Sequence, residues 1–447
     1  MKRSRSPKPR RSPQRSRVQA PAKTAPPAAP LLVRIEKPVY GGSFLARHEG
    51  KAVFVPLALP GEQARVRITE SRKGYAAAEV EEIVEPAPER IAPACPHFGA
   101  CGGCHYQHTG YQYQLAMKQA ILRETLERAG VVWGGEIAVL AGEPWAYRNR
   151  IRLAFDAAGR PGYRGRRSHA VVPIAECPIA APLLVRAAGE FAAVAGEALR
   201  PAELTLFCDR DETALLATVE AGNPRPRIEP LAEALRERLP QLQGLEVTAA
   251  MAGTAPPRVL ARWGAERLAH RAAGFDYRVD HGAFFQVNRW LVDALVERVT
   301  GDQSGRLAWD LFAGVGLFAR ALASRFERVV AVESSPAALP GLRENLLGAG
   351  GDAVQAETLA FLRRGRMGDR AELIVVDPPR AGLGPELCAL LGEAAAPRMV
   401  YVSCDPATLA RDLKALLALG YGTESVTLAD LFPQTYHLET VVQLRLS

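Results

Sequence analysis

The sequence predicts an α/β protein: a doubly wound parallel sheet over residues 275–447, preceded by a small β-barrel over 31–89 and an α+β segment over 90–274. Three observations predict it. The apolar runs LAWDLF, RVVAVE, AELIVVD and RMVYVSC are each followed by a helical stretch, and this alternation builds a parallel sheet covered on both faces. LLVRI, KAVFVPLAL, ARVRITESRKG and YAAAEVEEIV are short alternating segments parted by GG, HEG and PGE turns, the pattern of a small barrel. Between these regions, strand-like runs mix with YQLAMKQAILRETLERAG, whose apolar residues recur at helical spacing.

Taken in order, residues 1–30 carry nine Lys or Arg and no acid among Pro and Ser, so they are expected to form a disordered basic tail, a solvated leader or a non-specific phosphate contact. The whole chain is 447 residues with a formal charge of +8, yet beyond the tail 47 bases meet 48 acids. Basicity is a property of the tail. No apolar stretch follows the basic start as a secretory signal requires, and none approaches the roughly 20 residues of a membrane span. A soluble, cytoplasmic, monomeric protein is expected, in which seven cysteines argue for metal ligation or catalysis and against a disulfide framework.

The barrel holds eight bases against nine acids, so any attraction for an oligonucleotide there must be local. After the Pro-rich linker VEPAPERIAPAC comes ACPHFGACGGCHY, with Cys95, Cys101 and Cys104, and AECPI offers Cys177 downstream. Four thiolates suit a 4Fe-4S cluster or a tetrahedral zinc, and the spacing leaves both open. Nothing here implies redox chemistry, so a structural role is expected. WAYRNRIRLAFDAAGRPGYRGRRSH, residues 145–169, then interleaves seven Arg with Trp145, Tyr147, Phe155 and Tyr163. Arginines for phosphates and rings for unstacked bases suit single-stranded RNA; an exposed strand pair with solvated charges is the plainer reading.

In the last domain DLFAGVGLFARALA, residues 310–323, sets Asp310 at a strand end before a glycine turn that opens a helix. Glu333 ends RVVAVE and suits a ribose diol, and Asp377 ends IVVD. No phosphate cradle accompanies them, which favours S-adenosylmethionine over NAD. In YVSCDPATLARDL, residues 401–413, Asp405 can cap a helix and Pro406 fits its first turn, so Cys404 stands at a strand's carboxyl end beside a helix N-terminus. That terminus lowers a thiol pKa from about 8.5 while Asp405 opposes it. Cys208 and Cys388 read as core residues. A thiolate beside a methyl donor suggests attack on carbon 6 of a pyrimidine, which makes carbon 5 nucleophilic; a base must then remove the carbon 5 proton. Cys404 and Glu439, the latter in LFPQTYHLETVVQL, supply these roles.

The barrel, CxxxxxCGGC with a distant Cys, FFQVN (284–288), DLFAGVGLF, DPPRAG, VSCDPATLARD and HLET together resemble, in matching order, the bacterial RNA uracil-5-methyltransferases. The resemblance spans nearly everything after the tail. It implies a TRAM-type or OB-like barrel, a Rossmann-like class I methyltransferase domain, and methylation of a loop or bulge uridine, most nearly in large-subunit ribosomal RNA. By that resemblance Gln286, Phe312, Glu333 and Asp377 line the S-adenosylmethionine site, Cys404 is the nucleophile and Glu439 the base. Cys95, Cys101, Cys104 and Cys177 hold a 4Fe-4S cluster. Leu317 stands where some members place an Asn, and the Asn expected on a later strand falls at or near Glu357. The alternatives are a transfer RNA uracil-5-methyltransferase, a cytosine-5 enzyme, and an RNA-binding or chaperone protein retaining the fold.

Overall fold

A computed structural model describes residues 30–199, 201–221, 228–249, 258–364 and 370–447; the expected tail lies outside them. Strands β1 (Leu31–Val39), β2 (Ser43–His48), β3 (Lys51–Pro56), β4 (Gln63–Ser71) and β5 (Tyr75–Glu85) close into a barrel in the order β1-β2-β3-β5-β4. Alternate residues Val33 and Ile35, Phe44 and Ala46, Val53 and Val55, and Ala64 and Val66 fill it. Tyr106, from the cysteine segment, and Met117 pack into the same core.

Helix α1 (Tyr111–Arg128) and strand β6 (Ile137–Leu140) follow. A central seven-stranded sheet then runs β13-β12-β11-β10-β7-β8-β9. It comprises β7 (Arg150–Phe155), β8 (Pro161–Arg164), β9 (Val171–Pro173), β10 (Pro201–Cys208), β11 (Leu215–Ala221), β12 (Leu242–Ala249) and β13 (Val259–Gly264). Helices α2 (Pro182–Leu199) and α3 (Glu229–Arg238) accompany it, and Cys208 is fully buried there. A hairpin, β14 (Arg267–Ala272) and β15 (Phe275–Asp280), crosses the expected boundary at 274/275.

The last sheet is assembled from α4 (Val292–Thr300), β16 (Gly305–Leu311), α5 (Leu317–Leu322), β17 (Phe326–Glu333), α6 (Leu339–Leu346), β18 (Gly351–Gln355), α7 (Thr358–Arg363), β19 (Leu373–Val376), α8 (Gly384–Ala394), β20 (Arg398–Ser403), α9 (Pro406–Ala418), β21 (Tyr421–Ala429) and β22 (Glu439–Leu446). The order is β18-β17-β16-β19-β20-β22-β21-β6. The strands from β18 to β20 are parallel, as the alternating rhythm predicts, and only β22 runs against its neighbours. Strand order reverses between β16 and β19, the place where such sheets open a ligand crevice at their carboxyl ends.

Both faces are covered. Val329, Ala331, Val375 and Val400 share one core with Leu295, Phe318 and Leu342; Val330, Val332, Ile374 and Tyr401 share the other with Leu391, Leu409 and Leu413. Period-2 alternation in near-continuous apolar strands is what a two-faced sheet demands. Its far edge is β6, parallel to β21 with Ile137 opposite Val426, so a strand from the 90–274 segment completes the sheet expected at 275–447. Ile121, Leu122 and Leu126 of α1 belong to the same second core. Periodicity finds strands but not the sheet an isolated one will join. No described helix is long and apolar enough to cross a membrane.

Candidate active site

The carboxyl edge of the last sheet gathers the chemistry. Leu311 lies level with Val332 on one side and Val376 on the other, so Phe312, Glu333 and Asp377 follow at one height. The turn after β16 is tightly wound: Phe312 has φ +67°, Gly314 +56° and Gly316 +86°. A Cβ on Gly316 would stand 2.8 Å from Leu342 Cδ1, so close packing on α6 adds to the conformational need for glycine. Glu333 braces this turn, Oε2 accepting from the Gly314 amide at 2.7 Å and Oε1 from the Ser335 amide at 2.6 Å.

Asp310 is fully buried. Its Oδ2 accepts from the Ala319 amide at 2.8 Å while Oδ1 has no partner. Burial, with Asp377 and Glu333 near, pushes its carboxyl up to about 7. An orphaned carboxyl oxygen under a glycine turn, with acids at the next strand ends, fits a neutral or cationic nucleoside better than a phosphate. Gln286 is buried in the segment entering α4, where Asn149 Nδ2 donates to its carbonyl at 3.1 Å. Leu317 is buried in the core, and Glu357 is the N-cap residue of α7, its side chain making no capping bond to the helix amides.

Cys404 and Glu439 meet through strand register. Antiparallel β20 and β22 pair Ser403 with Thr440, and one step on, Cys404 faces Glu439. Asp405 caps α9, accepting from the Ala407 and Thr408 amides at 3.0 Å each, as read from the sequence. Of the two opposing influences read from the sequence, the helix N-terminus does not prevail. Burial, then the carboxylates of Glu439 and Asp377, push Cys404 up to about 11, against Arg380, which pulls it down. Glu439 is buried and held well above the ordinary carboxylate range by burial and Asp377, again opposed by Arg380; burial pushes Asp377 to about 7.

Arg380, which the sequence reading passed over although DPPRAG contains it, stands beside the candidate pair. It is the cation facing both Cys404 and Glu439, and its Nη2 lies 3.3 Å from His437 Nδ1. Its loop is fixed from behind. Asp412 accepts from the Leu383 amide at 2.7 Å and from Tyr401 Oη at 2.8 Å, and Thr408 Oγ1 donates to the Arg380 carbonyl at 3.1 Å. Gly382, at φ +72°, would place a Cβ 2.4 Å from Asp412 Oδ2, so only glycine allows this approach. From the barrel, Tyr40 Oη donates to the Cys404 carbonyl at 3.4 Å.

The segment leading into Glu439 is clamped by distant elements. Buried Lys118 Nζ donates to Asp430 Oδ1 at 2.5 Å and to the Phe432 carbonyl at 3.0 Å. Gln114 and Gln434 bond twice, Nε2 to Oε1 at 2.9 Å and Gln434 amide to Gln114 Oε1 at 3.0 Å. The amides of His105 and Tyr106 both donate to the Gln434 carbonyl.

Cys95, Cys101, Cys104 and Cys177 all line one cavity of about 290 Å³. Among the described residues no three His, Cys, Asp or Glu side chains gather closely enough to hold a single metal ion. The Gly103 amide donates to Cys101 Sγ at 3.4 Å. Burial raises the Cys95, Cys101 and Cys104 thiols, Cys104 to about 12. His97, His105, Glu176 and His437 share the lining, and four thiols bordering far more space than the roughly 10–15 Å³ that one small guest requires fit a multi-atom cluster.

The aromatic rings expected to stack on bases are largely turned inward. Tyr147 is fully buried, its hydroxyl on the Pro433 carbonyl at 3.0 Å, Phe155 packs against the central core, and Tyr163 lies 4.0 Å from Cys177 Sγ.

Comparison with known proteins matches a TRAM domain at residues 30–80 and a tRNA (uracil-5-)-methyltransferase model at 367–446. The chain is 34% identical to the 23S rRNA (uracil(1939)-C(5))-methyltransferase of Alkalilimnicola ehrlichii, covering 93% of this chain and 96% of that one. It is 32% identical to an uncharacterized RNA methyltransferase of Nitratidesulfovibrio vulgaris, covering 93% and 95%. The Pyrococcus abyssi tRNA (uracil-54, C5)-methyltransferase, solved with S-adenosyl-L-homocysteine, superposes with a TM-score of 0.73 at 25% identity, covering 93% of this chain and all of that one.

Proposed function

Because the chain belongs to the family of RNA uracil-5-methyltransferases, we propose that it methylates carbon 5 of a uridine in large-subunit ribosomal RNA, with Cys404 as nucleophile and Glu439 as base. The observation that carries this reading is the register that sets Cys404 opposite Glu439 at the sheet's carboxyl edge, with Asp377 and Arg380 against both. S-adenosylmethionine supplies the electrophilic methyl group, and the residues that would hold it are Gln286, Phe312, Glu333 and Asp377, with Asp310 beneath.

The chain's own groups do the rest. Cys404 Sγ, once deprotonated, bonds carbon 6 of uracil and moves electron density onto carbon 5. Arg380 favours the thiolate and the Glu439 carboxylate, the ionised forms that the reaction uses. After carbon 5 is methylated, Glu439 takes its proton, the ring double bond re-forms and the sulfur departs. The target must leave its stack at a cost of about a few kcal/mol, which a loop or bulge lowers.

RNA containing 5-fluorouridine should leave a covalent conjugate at Cys404, because no proton is then available for Glu439 to remove. Cys404→Ala should form no conjugate and lose at least ~10³-fold in methylation. Glu439→Gln should transfer the methyl group and accumulate conjugate even on ordinary uridine. Full methylation by Cys404→Ala would overturn the assignment. The Alkalilimnicola relative supports ribosomal RNA; the family model's description and the Pyrococcus enzyme favour transfer RNA as the second reading. Mass spectrometry of both RNAs from cells lacking the protein separates them by which one lacks a methyl group.

We propose further that the four cysteines hold a 4Fe-4S cluster in a structural role. Their four thiols around one cavity of about 290 Å³ support it over a single zinc. Protein purified without air should be brown, with about four irons per chain; a colourless protein with one zinc would overturn it.

A further inference from the structure

Of the seven arginines in residues 145–169, five are engaged within the protein. Arg148 faces the cysteine cavity and lies over the Tyr147 and Phe432 rings. Arg150 donates to the Ala283 carbonyl and stacks on Phe207 at 4.2 Å. Arg152 and Arg164 pair with Glu203, and Arg160 with Asp156. The Arg166 and Arg167 side chains have no ion pair, hydrogen bond or ring contact within the described residues; Arg166 is half-buried with Glu79 near it, and Arg167 is exposed.

These two lie where the fold leaves room. Arg166 and Arg167 line a cavity of about 420 Å³ walled by glycine backbone at Gly41, Gly42, Gly102 and Gly103. Arg167 and Ser43 also line a neighbouring cavity of about 620 Å³ between the barrel and α1, so the two form one trough. Its barrel wall carries Tyr40, Phe54 and Tyr75. Tyr75 is 42% exposed, with the Phe54 ring edge-on at 5.8 Å. The acids that share the wall are already neutralised, Glu124 by Lys37 and Arg128, and Glu70 by Arg72. At the inner end, Tyr40 reaches the Cys404 carbonyl.

We infer that this trough is the subsite for the single-stranded RNA flanking the target uridine. Arg166 and Arg167 take its phosphates, and Tyr75 with Phe54 stacks one of its bases. The arrangement rests on the RNA reading above and adds to it a binding surface in which the barrel, and not the rings of 145–163, supplies the stacking platform. Unpaired cations beside backbone without side chains suit a polyanion that must lie close, and an exposed ring suits any base face. Continuity with Tyr40 leads the strand to the thiol.

The test uses the full chain and a fluorescein-labelled oligouridylate whose binding is followed against salt. Arg166→Ala/Arg167→Ala should flatten the plot of log affinity against log salt by about 1.4, two phosphates at ~0.7 each for a single strand. Tyr75→Ala should weaken binding about 5- to 100-fold at every salt concentration without changing the slope, and Tyr75→Phe should restore it. Arg167 and Tyr75 are exposed and Arg166 is half-buried, and an unchanged melting curve confirms that each variant folds. A double-arginine variant with the wild-type slope, or a Tyr75→Ala variant with wild-type affinity, overturns the trough. Wild-type methylation of RNA, measured alongside, keeps the two readings apart. If it occurs with no change in the variants' binding, the trough fails and the reaction stands; if binding shifts as expected without any methylation, the reaction fails and the trough stands.

Discussion

At the scale of single residues the thiol of Cys404 lies between two acids, Glu439 and Asp377, and one guanidinium, Arg380, and its titration follows from that inventory. Because Cys404 is pushed up to about 11, the thiolate fraction below that value grows tenfold with each pH unit. Alkylation of Cys404 by iodoacetamide, followed on its own peptide by mass spectrometry, should therefore quicken about tenfold per unit between pH 7 and roughly 10. Removing a cation destabilises the anion, so Arg380→Gln should move the curve to higher pH and slow alkylation at any fixed pH below it. A curve that stays in place would mean that Arg380 does not act on the thiol. Cys404 and Asp377 were legible because each closes an apolar run of recognisable strand character, and Glu439 because it opens one. Arg380 was not, since its effect depends on a loop held by Asp412 and Thr408, contacts that no spacing encodes. Tyr147 and Tyr163 were misjudged for a related reason: alternation tells that two faces differ, not which one the rest of the molecule will cover.

At the scale of elements, the segment between β21 and β22 is held by α1 through an ion pair with no solvent exposure on either partner. Burying two charges yields little net stability, but removing one of them strands the other. Lys118→Met should cost about 3–5 kcal/mol, read as an earlier unfolding transition in denaturant. Lys118→Met/Asp430→Leu should recover most of that loss, because neither charge is left unpaired. A mild single variant would show that Asp430 escapes to water. The helical character of α1 was plain from its periodicity, whereas its lysine at position 118 reads in sequence as an ordinary solvated charge. Only the packing of α1 over the catalytic segment turns that lysine into a buried clamp.

At the scale of the whole molecule, the strands form a barrel, a central sheet, the β14–β15 hairpin and the doubly wound sheet, and the expected cut at 274/275 does not fall cleanly between them. The doubly wound sheet takes β6 and the apolar face of α1 from upstream. A fragment of residues 275–447 should lack this strand and part of its second core, expose the edge of β21, and aggregate or fail to unfold cooperatively by circular dichroism. A fragment starting near residue 111 should do better. Equal stability of the two would show that β6 is an ornament. The order in which the chain is synthesised gives the same feature a further meaning. β6 leaves the ribosome long before its partner, since Ile137 waits for Val426, and at about 5–20 residues per second that wait is roughly 15–60 s. For that interval a nascent chain carries an unmatched β-edge, and translation speed or a holding chaperone becomes part of how this enzyme reaches its active form.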